Sequence, residues 1–182
     1  MSNLERWFGE VYDATYTDLV RFASRRGHAH QAEDVAAEAV TVAWRRAADL
    51  PANIDEARAW LFGIARRLLL AQVRLDARQA LPVRIGDPDE RLSGQPGHED
   101  AVVAAVDLAA AWRRLTSVHQ EALSLTVWDG LTGSQAAAVL GISPVAYRIR
   151  LSRARNALQA LMDVAPPVTV KAAPCVTEGG RP

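Results

Sequence analysis

Hydrophobic positions in this chain recur with helical spacing in two stretches, divided by one with no sustained period. From about Leu4 to Gln79, Trp7, Phe8, Val11, Tyr12 and Tyr16, then Leu19, Val20 and Phe22, fall close to the spacing of a buried helical stripe. GHAH, Gly27–His30, breaks that pattern, and AEDVAAEAVTVAWRR predicts a second helix over Ala32–Arg46. DLPANIDE, Asp49–Glu56, reads as a loop from its Pro, Asn and Asp content. ARAWLFGIARRLLLAQVR predicts a third helix over Ala57–Arg74. The segment Leu81–Asp100 is rich in proline and glycine and reads as a linker. Periodicity resumes from about Ala101 to Val164, and the remaining tail is biased in composition and predicted to be disordered.

The second stretch carries the clearest local signals. Thr132 followed by Gln135 is a capping-box pattern that starts a short helix, with Ala136, Ala137 and Leu140 on its inner face. Gly141 suits a left-handed cap, Ser143 caps the next helix, and Pro144 fits its first position. Helix, glycine turn, helix is the helix-turn-helix signature. At about 100° per residue, Tyr147, Leu151, Ala154, Leu158 and Leu161 form a core stripe on the second helix. Its opposite face holds Val145, Ile149, Ser152 and Asn156, flanked by Arg148 and Arg153. A solvated face mixes both charge signs and avoids β-branched apolar residues. A face with only positive charge and an apolar centre suits a DNA major groove. The competing reading is a face packed on another domain with its arginines solvated at the rim.

Composition narrows the class. The 182 residues are 49% hydrophobic with few aromatics, which favours helices and allows one domain or two small ones. Lys and Arg number 21, as do Asp and Glu, so any polyanion binding must come from local patches. The lone Cys175 offers neither an internal disulfide nor a structural zinc site. No apolar run approaches the about 18–20 residues of a membrane helix, and the N-terminus lacks a secretory signal, so a soluble cytoplasmic protein is expected.

In the first stretch Asp34 and Glu38 stand four apart on one helical face beside Glu33. No nucleophile or further metal ligand lies nearby, so an acidic docking face is favoured over acid–base chemistry. His28 and His30 read as a loop pair rather than metal ligands. Arg66, Arg67, Arg74 and Arg78, interleaved with Trp60 and Phe62, suit single-stranded nucleic acid or, equally, core aromatics beside solvated arginines. Neither a cofactor nor a metal is expected.

Together these segments resemble the extracytoplasmic-function (ECF) group of bacterial RNA polymerase sigma factors, of the sigma-70 family. AEDVAAEAVTVAWRR is similar to the group's AED-x-x-QE-x-F-x-x-AWR pattern, and AWLFGIARRLLLAQVR to WL-x-x-IARN-x-x-x-D-x-x-R, both in sigma region 2. LTSVHQEALSLTVWDGLTGSQAAAVLGISPVAYRIRLSRAR resembles region 4 and its closing RL-x-RAR. The resemblance covers roughly residues 7–162. Departures include Ala37 where Gln is usual, Arg67 for Asn, Ala71 for Asp, Leu115-Thr116 for Leu-Pro, and Gln135 for Glu.

The resemblance implies an all-α protein of two small helical domains, a region 2 bundle and a region 4 helix-turn-helix, joined by a flexible linker. Region 2 would occupy residues 1–80, the linker 81–100, region 4 residues 101–164 and the tail 165–182. The implied function is not enzymatic. The chain would bind core RNA polymerase at the β′ clamp and β flap and direct it to promoter DNA. Asp34, Glu38 and Trp44 would dock the polymerase. Asn53, Trp60, Arg66, Arg67 and Arg74 would serve the −10 element, with a flipped base received by the loop around Asn53. Ser143, Val145, Arg148, Ile149, Ser152 and Arg153 would serve the −35 element. The family's usual regulator is an anti-sigma factor, and no membrane insertion is implied. Two rivals remain: a helix-turn-helix regulator that is not a sigma factor, whose N-terminal half should contain strands, and a small helical enzyme using Asp34 and Glu38.

Overall fold

A computed structural model describes residues 2–26, 29–72, 83 and 99–164, with the backbone alone for residues 29, 99–104 and 164. The first block is three helices, α1 (Asn3–Arg26), α2 (Ala32–Arg45) and α3 (Ile54–Gln72), each packed on the other two. Val11, Leu19, Phe22 and Ala23 supply the α1 stripe, and Leu61, Phe62, Ala65 and Leu69 that of α3. Phe22 and Phe62 stack with centroids 4.6 Å apart. The inner face of α2 is built from Ala32, Val35, Ala36, Ala39 and Ala43, all buried. Small side chains at helical spacing let α1 and α3 approach the α2 backbone closely.

The expected loop over Asp49–Glu56 is shorter than the composition suggested. Ala47–Asp49 form a 3-10 turn, and α3 begins at Ile54 rather than Ala57. Asn53 is the cause: its Oδ1 accepts from the N–H groups of Asp55 (2.9 Å) and Glu56 (3.2 Å). That satisfies two orphan donors of the first turn, where the two acids also favour the helix dipole. Trp7 Nε1 donates to the Pro51 carbonyl at 3.0 Å and ties this loop to α1.

The second block holds α4 (Glu99–Arg114), α5 (Ser117–Val127), α6 (Gly133–Leu140) and α7 (Pro144–Val164). Thr132 and Gln135 form both hydrogen bonds of the capping box, and Gly141 takes φ 67° at the C-cap of α6. Ser143 Oγ accepts from the Ala146 N–H at 3.2 Å. Tyr147, the first residue of the expected core stripe, is fully buried, and its hydroxyl donates to the Ala122 carbonyl at 2.8 Å and meets Thr126 Oγ1 at 2.7 Å.

Most of the expected linker lies outside the described residues, as does the tail. Val83 is described, and it is anchored to the second block. It is only 3% exposed, its N–H donates to Gln120 Oε1 at 3.1 Å, and its carbonyl accepts from Trp112 Nε1 at 2.7 Å. The two blocks also pack on each other, chiefly α3 on α6. Ala59 and Gly63 provide the small surface on α3; a Cβ added at Gly63 would lie 3.9 Å from the Val139 Cα.

Candidate nucleic-acid interface

The outer face of α7 is open. Val145 is 55% exposed and Ile149 49%, with Arg148, Ser152, Arg153 and Asn156 exposed around them. Among the described residues no acid pairs with Arg148, Arg150, Arg153 or Arg155, and α7 carries no acid before Asp163. The face is held from beneath by Tyr147, against whose ring Gly133 of α6 makes room (3.8 Å to a would-be Cβ). Burial pushes the Tyr147 phenol above its ordinary value, against the opposing pull of the Thr126 hydrogen bond. Ser143, as the cap, orients the helix start, while Val145, Arg148, Ile149, Ser152 and Arg153 are gathered on one open surface. An exposed apolar centre rimmed by guanidinium groups can meet thymine methyls, guanine edges and phosphates.

A second face lies on α2. Asp34, Ala37, Glu38, Thr41 and Trp44 are exposed, Ala37 and Glu38 three and four positions after Asp34, with Thr41 and Trp44 following at three-residue steps. Trp44 is 47% exposed and sets its ring edge-on to Phe8 of α1, centroids 5.0 Å apart at 74°. Tyr12 and Tyr16 continue this aromatic surface, 4.9 Å apart. The Tyr16 phenol is raised, first by partial burial, then by the charge at Tyr12, Glu33 and Asp34. Among the described residues no three His, Cys, Asp or Glu side chains cluster as a metal site would need.

The residues expected to serve the −10 element are not gathered on one face. Asn53 is exposed and caps α3. Trp60 is half-buried and Arg67 is exposed, its Nε donating to the Gly63 carbonyl at 3.0 Å. Both line a cleft of about 360 Å³ between α3 and α6, shared with Glu56, Ser134 and Gln135. Arg66 is only 6% exposed and grips Glu121 of α5 in a fork, Nε to Oε1 at 2.7 Å and Nη2 to Oε2 at 3.2 Å. Arg74 lies outside the described residues.

Sequence reasoning passed over the groups that join the blocks. Arg25 and Arg26 close α1, where basic residues are ordinary complements of the helix dipole. Asp129 precedes Gly130 (φ 64°), which reads as a turn aspartate, yet it is 1% exposed and paired with both arginines. The only signal available was two acids, Glu121 and Asp129, within an otherwise helical, apolar stretch.

Comparison with known proteins follows the same two blocks. Sigma-70 region 2 matches residues 11–79, and Sigma-70, region 4, matches residues 105–158. The chain is 32% identical over 155 residues to the ECF RNA polymerase sigma factor SigL of Mycobacterium tuberculosis, spanning 82% of this chain and 85% of that one. It is 31% identical over 172 residues to the RNA polymerase sigma factor CnrH of Cupriavidus metallidurans, covering 89% and 90% of the two chains. The structure of CnrH in complex with the cytosolic domain of CnrY superposes with a TM-score of 0.58 at 26% identity, covering 89% of this chain and 91% of that one. The sigma factor RpoE of Bartonella quintana, in complex with the anti-sigma factor NepR, superposes with a TM-score of 0.60 at 25% identity, covering 87% and 98%. The strands that a helix-turn-helix regulator other than a sigma factor should carry in its N-terminal half are absent among the described residues, and the relatives run through both blocks. The chain belongs to the ECF group of the sigma-70 family and is an alternative sigma factor, a DNA-binding transcription initiation factor.

Proposed function

We propose that the open face of α7, centred on Val145 and Ile149, reads the −35 promoter element, with Arg148 and Arg153 on bases or phosphates and Ser152 between them. The observation that carries this reading is the exposed apolar centre with unpaired cations on both sides. A merely solvated helix has no reason to leave Val145 and Ile149 uncovered on that face.

In this reading residues 1–80 form the region 2 domain, 81–100 the linker and 101–164 the region 4 domain. Asp34, Glu38 and Trp44 dock the β′ clamp of core polymerase, and region 4 meets the β flap. Asn53, Trp60, Arg66, Arg67 and Arg74 serve the −10 element, where extruding a base costs a few kcal/mol that loop contacts must offset. No helix among the described residues is long and apolar enough to cross a membrane, and the protein works in the cytoplasm, with the polymerase. An anti-sigma protein completes the partner set; the similar protein RpoE is seen in complex with the anti-sigma factor NepR, and CnrH in complex with the cytosolic domain of CnrY.

Run-off transcription tests the whole. Purified chain plus core polymerase should initiate at a specific promoter. No transcript from any candidate promoter, together with no binding to core enzyme, would overturn it.

A further inference from the structure

The linker is fastened to the second block at Val83, and both main-chain groups of that residue are held. Its N–H donates to Gln120 Oε1 at 3.1 Å, and its carbonyl accepts from Trp112 Nε1 at 2.7 Å. Gln120 is itself fixed, because its Nε2 donates to the Trp112 carbonyl at 2.8 Å, which aims Oε1 at the Val83 amide. The Trp112 ring is buried and braced by Trp128, centroids 4.7 Å apart. A sheet edge holds a peptide in the same way, by taking both polar groups of a residue and burying its side chain. Here α4 and α5 do so with two side chains. Neither Trp112 nor Gln120 belongs to the first block, so the clip travels with the second block wherever that block goes.

We propose that this clip is a ruler. By fastening the linker at Val83 it fixes how far the helix-turn-helix can stand from the first block, and so which spacing between the −10 and −35 elements the protein accepts. The proposal rests on the promoter reading above. Val83, Trp112 and Gln120 are positioning residues in it, and none of them touches DNA.

Chain lengths decide whether the clip matters. From Gln72, the last residue of α3, to Glu99, the first of α4, the chain advances 27 residues, a fully extended reach of roughly 89–97 Å. From Gln72 to Val83 it advances 11 residues, roughly 36–40 Å. Elements centred near −10 and −35 lie about 25 base pairs apart, roughly 85 Å along straight duplex. The helices that read them add no more than their own lengths, about 28 Å for α3 and about 31 Å for α7. Laid end to end with a clipped tether, they barely exceed the promoter distance, whereas an unclipped tether leaves roughly 70 Å to spare. A tether near its limit discriminates steeply by length, because the effective concentration of the second block at its element falls towards zero once the linker cannot span. A slack tether does not. The clip therefore turns a permissive linker into a selective one.

Amide exchange on the full chain tests the clip, and a series of promoters tests the ruler. The Val83 N–H should exchange at least about tenfold more slowly than an unbonded amide. Trp112→Phe, which deletes the donor to the Val83 carbonyl, should remove most of that protection. Transcription by reconstituted holoenzyme is then compared on promoters identical except for the spacer between the two elements. Two base pairs added to the optimal spacer lengthen the path by about 7 Å, and should cost the wild-type chain about tenfold but Val83→Asp less than about threefold. Val83→Asp expels the linker from an apolar slot without altering the helices of either block, so transcription at the optimal spacer should hold. Each added pair also turns the duplex by about 35°, equally for both proteins, so the difference between them reports the tether. Trp112→Phe should widen the profile in the same direction. Superimposable spacer profiles overturn the ruler and leave the polymerase alone to set the spacing. A Val83 amide that exchanges as fast as an unbonded one overturns the clip. No transcript from the wild-type chain at any spacing strikes the promoter reading, and the ruler falls with it, while Val83 protection tells that failure from the loss of the clip.

Discussion

Replacing Ile149 by alanine separates stability from recognition on α7. The side chain is 49% exposed, so about half its apolar surface is still in water in the free protein. Burying a whole isoleucine side chain contributes roughly 1.5–3 kcal/mol, so a groove that covers the remaining half gains roughly 0.7–1.5 kcal/mol from it. Ile149→Ala should therefore weaken promoter binding about 3- to 13-fold. The half already covered contributes a similar amount to the fold, offset in part by the better helix propensity of alanine, so stability should fall by no more than about 1 kcal/mol. The assay is fluorescence anisotropy of a promoter duplex titrated with reconstituted holoenzyme at fixed salt, beside a thermal melt of the free protein. The same substitution should have little effect on a scrambled −35 duplex, because a methyl contact depends on the base that carries it. An unchanged affinity for the promoter, or an equal loss on the scrambled duplex, refutes the groove reading. A large fall in melting temperature would mean that Ile149 packs on the protein.

Three further outcomes follow from the same geometry. Gly141 holds φ 67° with nothing within 4 Å of a would-be Cβ, so Gly141→Ala is a pure backbone cost of about 1–2 kcal/mol, read as a lower denaturant midpoint. Trp44→Ala removes a half-exposed ring that leans on Phe8 from one side, so stability should fall by about 1–2 kcal/mol while affinity for core polymerase falls by about 2 kcal/mol or more, measured by titration of labelled core. The Tyr147 phenol has its pKa raised by burial above the ordinary 10.0, so its stabilising effect is complete below that value and is lost as pH rises through the folded one. Melts followed by tryptophan fluorescence from about pH 9 to 11 should show stability falling, and Tyr147→Phe should flatten the fall while costing about 1–2 kcal/mol for its two hydrogen bonds.

The helix-turn-helix was legible because every rule that shapes it is local. The Thr132–Gln135 box, the Gly141 cap, the Ser143–Pro144 start and the Tyr147 stripe each act within four residues, and all four are present as expected. The boundaries of α3 were less legible because Asn53 was weighed as a loop residue and a base receiver. Its amide is also the cap that draws Ile54, Asp55 and Glu56 into the helix. The arginines of the first block were read from α3 alone, where they looked like a basic face. Arg26 and Asp129 are 103 positions apart in sequence, and periodicity carries no information about a partner at that distance.

Zero net charge sets a problem for any protein that must bind DNA, and the placement of two acids solves it. With 21 acidic and 21 basic residues, a positive face exists only where carboxylates are kept away. The helix-turn-helix block owns Glu121 and Asp129, yet both side chains are buried and paired with first-block arginines rather than exposed beside the cations of α7. The same two carboxylates cancel first-block arginines that would otherwise form a second cationic surface. Between the blocks those arginines are neutralised, while the outer face of α7 keeps its exposed cations. An isolated basic face binds DNA weakly and steeply with salt, because its affinity scales with the number of phosphates neutralised. If the α7 face reads promoter DNA as proposed, binding should weaken as salt rises, and Arg153→Ala should lower that salt slope by about one if its contact is to a phosphate.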